Sequence, residues 1–189
     1  NESLTDYMTS AEQDNGIAED YLPFIHSLME REGTLSGTAY SSVFGGNTCD
    51  SEYEFLTGNS MYFLPGGSVP YQQYVKTEQT SLVSTLKSQD YTCLAIHPGN
   101  ETAWSRNTAY EYLGFYHFTY AHIFHEEREF ERNLTSDASN YKQLIYEYEN
   151  HREHNDNPLF IFNVTIQNHG GYKTEDYPST VDIVAGDYP

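Results

Sequence analysis

Basic residues are scarce in this chain. Nine lysines and arginines stand against 28 aspartates and glutamates, giving a formal net charge of -19 over 189 residues. A nucleic-acid groove needs clustered Lys and Arg to replace counterions, and docking on an anionic membrane surface needs the same. Neither partner is expected. An anionic substrate would have to be met by a metal or by a few placed Arg and His side chains. Cysteine is scarcer still. Cys49 and Cys93 alone build no disulfide framework and leave the redox compartment open. Cys93 lies in an apolar run and reads as a small buried hydrophobe. No apolar run reaches the roughly 20 residues of a membrane-spanning helix, and no stretch reads as a signal peptide. If the parent protein is membrane-anchored, its anchor is expected outside this chain.

Aromatic residues are plentiful. They make up 15% of the chain, with 18 tyrosines, and hydrophobic residues reach 38%. That is too rich for a disordered segment. The length suits a single domain, residues 1–189, able to bury a sizeable core.

Strand and helix patterns alternate. Residues 19–32 predict a helix with Leu22, Ile25, Leu28 and Met29 on one face. Residues 38–44 are β-like, and a helix over residues 51–56 is closed by Gly58. A Pro/Gly loop fills residues 64–71, and a short helix follows at 80–88. Residues 91–96 predict a strand ending at His97, followed by a polar loop at 98–107. A helix at 107–113 stops at Gly114, and residues 115–120 suggest another strand. Residues 136–151 predict a helix starting at Asp137, with Leu144, Ile145 and Tyr148 as its inner stripe. The apolar run at 158–166 suits a strand buried on both faces. This alternation indicates an α/β fold with a mainly parallel sheet flanked by helices.

Polar clusters fall just after the strands, where open α/β sheets bind ligands. The first is Gly45-Gly46-Asn47-Thr48-Cys49-Asp50-Ser51-Glu52. A helix beginning there aims its free N–H groups and positive dipole end at Thr48, where an alkoxide or phosphate would be stabilised. Taken alone, the segment is better read as an ordinary Asn-Thr helix cap, and the other clusters reverse that preference. The second cluster runs from His97 to Trp104 and Arg106, and the third is His169 before Gly170-Gly171. Thr48 is the candidate nucleophile, a weak one until a base or metal lowers its pKa. Glu2 is a hard oxygen ligand for a divalent cation. Arg106 offers a bidentate grip on phosphate, Trp104 a surface for a headgroup, and His169 a donor to a phosphate or leaving-group oxygen. His117, His122, His125, His151 and His154 read as surface residues. His122, His125 and Glu126 lack the His-Glu-x-x-His pattern of a zinc site.

Asn1-Glu2-Ser3, the Gly45–Glu52 segment, His97 through Trp104-Ser105-Arg106, and Asn163-Val164-Thr165-Ile166-Gln167-Asn168-His169 together resemble one family, in order and over nearly the whole chain. It is the extracellular catalytic domain of lipoteichoic acid synthase-like phosphoglycerol transferases, within the alkaline phosphatase/sulfatase superfamily. The resemblance implies that Thr48 attacks the phosphorus of a phosphatidylglycerol-type lipid, releasing diacylglycerol. A polymer or glycolipid hydroxyl then takes the glycerophosphate. It implies manganese or another divalent cation with Glu2 and Thr48 among its ligands. Trp104, Arg106 and His169 match the substrate-binding residues. The parent protein is then expected at the cell membrane with its catalytic domain outside. Three departures limit the transfer. Gly99 replaces the aspartate of the lipoteichoic acid synthases, so headgroup and acceptor preference do not carry over. No Cys-x-Pro-x-Arg pattern surrounds Cys49, which removes support for a sulfatase formylglycine. The late Gly-Asp-His-x-Pro segment is matched only by Gly186-Asp187-Tyr188-Pro189. A domain truncated at both ends is therefore expected, with weak metal binding and little activity by itself. The alternatives are a phosphodiesterase or sulfatase-like hydrolase, a non-catalytic polymer-binding module, and an intracellular hydrolase with an unrelated Thr or Cys nucleophile.

Overall fold

The computed structural model describes residues 23–37, 39–40, 43 and 47–170. Two compact units are present, residues 1–40 with 171–189 and residues 41–170. In the first, the described helix is α1 (Pro23–Met29), opened by a proline at a position that needs no N–H. Ile25 and Met29 of its predicted apolar face are exposed. Glu2, Leu22 and most of the β-like stretch at 38–44 lie outside the described residues.

The second unit holds the sheet. Its elements in chain order are α2 (Thr48–Thr57), α3 (Pro70–Gln73), α4 (Leu82–Lys87), β1 (Thr92–His97), α5 (Arg106–Leu113), β2 (His117–Tyr120), β3 (Phe130–Glu131), β4 (Leu134–Thr135), α6 (Asp137–His154) and β5 (Leu159–Asn163). The strands β2, β1 and β5 form a parallel sheet in that order. Gly58 and Gly114 end α2 and α5 in the left-handed conformation, with φ of 70° and 103°, which costs glycine nothing. Ser81 caps α4 and also donates to the Leu113 carbonyl, tying α4 to the end of α5.

Central β1 is buried from Cys93 to His97. One face, Cys93 and Ala95, packs with Tyr53 and Leu56 of α2, Tyr110 and Leu113 of α5, and Val83. Phe118, Phe160 and Phe162 of the flanking strands join the same cluster. The opposite face carries the register row Thr119, Ile96 and Asn163, and α6 covers it.

Helix α6 covers that row with polar side chains. Asn140 donates to Asn163 at 2.8 Å, and Thr119 donates to Glu147 at 2.8 Å. Its buried residues are Ser139, Asn140, Gln143 and His151. The predicted inner stripe is therefore wrong: Ile145 and Tyr148 are each 52% exposed. The helical period was correctly placed, but hydrogen bonds to a polar row of the sheet decide which face turns inward. His151 is corrected as well. It is 4% exposed, with Nε2 at 2.8 Å from the Asn157 carbonyl, and is no surface residue. His117, His122, His125 and His154 are exposed. Strand β5 is half-buried along its length, not buried on both faces. Among the described residues only β1 pairs with it.

The hairpin β3–β4, which the sequence pattern did not predict, turns through Arg132 and Asn133 at φ 50° and 62°. Arg132 donates to the Gln167 carbonyl at 2.6 Å, and the amide of Asp137 donates to the Gln167 side chain at 2.7 Å. These bonds brace the loop that carries His169.

Candidate active site

The loops leaving the carboxyl ends of β1 and β5 meet the N-terminus of α2 around one cavity of about 390 Å³. Thr48, His97, Trp104, Arg106, Ile166 and His169 line it. Four of the five predicted site residues thus share one space at the sheet edge where ligands bind. Glu2, the fifth, lies outside the described residues. A slightly larger depression, about 420 Å³ between Glu78, Lys87 and Glu111, contains none of them.

Thr48 is the first residue of α2 and is exposed. Asn47 holds the N-cap position in extended geometry (φ -78°, ψ 124°), yet its side chain makes no capping bond. The ordinary-cap reading of this segment therefore fails. The positive end of a ten-residue helix is left facing the cavity beside the Thr48 hydroxyl.

The approach to α5 is strained. Trp104 and Ser105 are consecutive non-glycine residues in the left-handed region, at φ 58° and 60°. Such conformations persist only where the surroundings over-determine them, and they concentrate at functional sites. Here the strain turns Trp104 onto the cavity wall while its ring also packs on the core cluster. Packing and lining are both met by this residue. The turn then delivers Arg106 to the first position of α5.

Arg106 does not offer its whole guanidinium to the cavity. It is 3% exposed and paired with Glu52, itself 4% exposed. Nη2 lies 2.7 Å from Oε1, and Nε lies 3.2 Å from both carboxylate oxygens. The Tyr110 hydroxyl donates to Oε2 at 2.9 Å. Burial works against the Arg106 charge, but the bonds and charge of Glu52 outweigh it and raise the pKa. Glu52 and Tyr110 were missed by the sequence reading. The signal for Glu52 was present: it follows Thr48 by four residues, so both fall on one face of α2.

His97 is 5% exposed, with Nδ1 at 2.8 Å from the Val164 carbonyl. A carbonyl only accepts, so Nδ1 carries the proton and Nε2 is left with its lone pair. Burial lowers the pKa below its ordinary 6.5; the Val164 bond opposes this, and the Arg106 charge adds to it. Folded His97 therefore resists protonation that the unfolded chain accepts. Stability is expected to hold above the ordinary pKa and to fall as pH drops below it, which urea midpoints between about pH 5 and 7.5 measure. His97→Gln should flatten that decline.

Gly99 allows this His97 geometry. A Cβ at residue 99 would sit 2.4 Å from His97 Nε2 and 3.1 Å from Ile166 Cδ1. The ring cannot yield without breaking its bond to Val164. Gly99→Asp is expected to expel the His97 ring and cost about 1–3 kcal/mol in denaturant unfolding, as overpacking does. His169 stands at the open rim, exposed, with Nδ1 3.2 Å from the Gly170 carbonyl.

Cys49 is fully buried, and its thiol pKa is pushed up to about 12 by burial and then by Asp50. It is a thiol at neutral pH, beside but not in the place of a nucleophile. Among the described residues no three His, Cys, Asp or Glu side chains gather as a metal site. The described residues do not by themselves fit the divalent cation that the resemblance implies.

Comparisons with known proteins give the family and the fold. The Sulfatase family profile matches residues 12–187, and the chain belongs to the sulfatase family. A putative cyclic beta-1,2-glucan modification protein of Rhizobium meliloti is 34% identical over 92% of this chain and 25% of its own length. Two solved structures share the fold. The lipoteichoic acid synthase LtaP of Listeria monocytogenes aligns at a TM-score of 0.71 and 21% identity, over 84% of this chain and 38% of that one. The phosphoglycerol transferase GacH of Streptococcus pyogenes, in complex with sn-glycerol-1-phosphate, aligns at 0.72 and 24%, over 94% and 45%. The chain spans about a quarter of the length of its curated relatives. The expected lipoteichoic acid synthase-like fold, a parallel sheet flanked by helices, is borne out.

Proposed function

We propose that this chain forms part of the catalytic domain of a phosphoglycerol transferase in cell-envelope glycerophosphate chemistry, working through Thr48. The observation that carries the reading is the single cavity at the sheet edge, which gathers Thr48 on an uncapped helix end with Trp104, Arg106 and His169. Thr48 Oγ bonds to the phosphorus of a phosphatidylglycerol-type lipid as the bond to the diacylglycerol oxygen breaks. The proton lost from Oγ ends on that oxygen, with His169 as donor. An acceptor hydroxyl then bonds to phosphorus, Oγ leaves, and the acceptor's proton returns to Thr48. Arg106 meets the phosphate charge and Trp104 the glycerol headgroup. The reading includes a divalent cation, manganese by resemblance, with Glu2 and Thr48 among its ligands; when bound it supplies positive charge at the hydroxyl. It also places the domain outside the cell, on a membrane-anchored parent.

The name of the Rhizobium meliloti relative favours a glucan as the acceptor class. The test gives the whole protein phosphatidylglycerol vesicles with and without a soluble β-glucan. Diacylglycerol release with phosphoglycerol on the glucan supports transfer. Free glycerol phosphate in both conditions would indicate a hydrolase instead. No diacylglycerol release at all would overturn the reading.

A further inference from the structure

One charged group behind the cavity wall has no part in the reaction above. Glu52 is a buried carboxylate behind a site assigned to a phosphate, and its charge opposes the ligand that Arg106 attracts. Its contacts give it a different use. Nε and Nη2 of Arg106 form one edge of the guanidinium, and both bond to Glu52. The other edge, Nη1 with the second hydrogen of Nη2, makes none of these bonds, and Arg106 lines the cavity. That edge is still a two-donor fork suited to two phosphate oxygens.

Glu52 is itself held. The Tyr110 hydroxyl occupies Oε2, and Tyr110 is locked in the core by edge-on contacts with Tyr71, Phe118 and Phe162. Glu52 also lies one turn along α2 from Thr48. The chain of contacts therefore runs from nucleophile helix to carboxylate to guanidinium, all on rigid elements. An arginine so near the strained turn at Trp104 and Ser105 would otherwise have several rotamers to choose from.

Resting on the phosphoglycerol transferase reading, we propose that Glu52, oriented by Tyr110, is a positioning residue that turns the free edge of Arg106 toward the phosphodiester bound at Thr48. Glu52→Gln is the informative change. Its amide keeps the volume but replaces one acceptor oxygen with NH2; the Tyr110 hydroxyl can rotate to accept from it, whereas the Arg106 N–H groups cannot, so the grip on the fork loosens.

The experiment measures kcat/KM on phosphatidylglycerol vesicles for the whole protein, per folded molecule, with Thr48→Ala as the inactive reference. Glu52→Gln is expected to lower kcat/KM about 10- to 100-fold, the scale of a misplaced binding group. Tyr110→Phe, which leaves the core packing in place, is expected to lower it about two- to tenfold, the scale of one buried hydrogen bond. In an Arg106→Lys background, Glu52→Gln should then change kcat/KM less than about threefold, since coupled residues are not additive. A merely structural Glu52 would lower the unfolding midpoint and leave kcat/KM per folded molecule unchanged, which overturns the proposal. An undiminished Glu52→Gln effect in the Lys background overturns it too. If Glu52→Gln does not fold, Tyr110→Phe decides, and wild-type kcat/KM in that variant counts against positioning. Failure of wild type to turn over the lipid overturns the underlying reading along with the proposal. Turnover by wild type with unaffected variants overturns the proposal alone.

Discussion

Thr48→Ala in the whole protein is expected to lower lipid turnover by at least about 10⁴-fold, the scale seen when a nucleophile is removed from a covalent mechanism. The fold should hardly register the change. Thr48 is exposed at the first position of α2, makes no side-chain cap of its own, and is not among the core residues. Alanine is a good helix former, so the unfolding midpoint should move by no more than a surface substitution allows, about 0.5 kcal/mol. Thr48→Ser retains the hydroxyl on the same helix end and should keep a measurable fraction of the rate. The pair separates the chemistry of Oγ from the shape of the site. Turnover within a factor of ten of wild type in folded Thr48→Ala would place the nucleophile elsewhere.

The parts of this fold that follow from local rules were legible in the sequence. The apolar run at Thr92–His97 became central β1, and the Gly58 and Gly114 stops fell where helix ends need a left-handed residue. The clustering of polar residues after strands brought Thr48, Trp104, Arg106 and His169 to one cavity. What failed depended on partners distant in sequence. The inward face of α6 is set by Thr119 and Asn163, residues 28 and 23 positions from the side chains they bond. A rule that turns apolar residues inward has no access to that. His151, by contrast, was misplaced for a local reason, since its ring turns to the Asn157 carbonyl just past the helix end, a bond that its polar surroundings do not announce. Arg106 is the instructive case. Its type and position pointed to phosphate, but its main partner, Glu52, lies 54 residues away, and only the spacing from Thr48 hinted at it. The β3–β4 hairpin was missed because its turn is Arg132-Asn133 rather than a glycine-containing pair.

Removing the Arg106 side chain should have two consequences that a second substitution can pull apart. Arg106→Ala leaves Glu52 with 4% exposure and no cation, and breaking one side of a buried pair costs about 3–5 kcal/mol. The variant should therefore lose stability, read from its denaturant midpoint, as well as its phosphate contact. Trp104→Ala removes no charge partner, so the uncompensated carboxylate is specific to the arginine change. The double variant Glu52→Met with Arg106→Met replaces both charges by apolar side chains of similar reach. Such replacements are often neutral or stabilising, although here the Tyr110 hydroxyl also loses its acceptor. Most of the stability is expected to return, while kcat/KM on phosphatidylglycerol stays at the level of Arg106→Ala. If the double variant recovered turnover with its stability, Arg106 would serve the fold and not the substrate. Buried ion pairs are a costly way to hold two helices together, because desolvation consumes most of the Coulomb gain. The pair linking α2 to α5 is therefore better explained by the guanidinium edge that Glu52 leaves unbonded in a cavity-lining arginine than by the stability it adds.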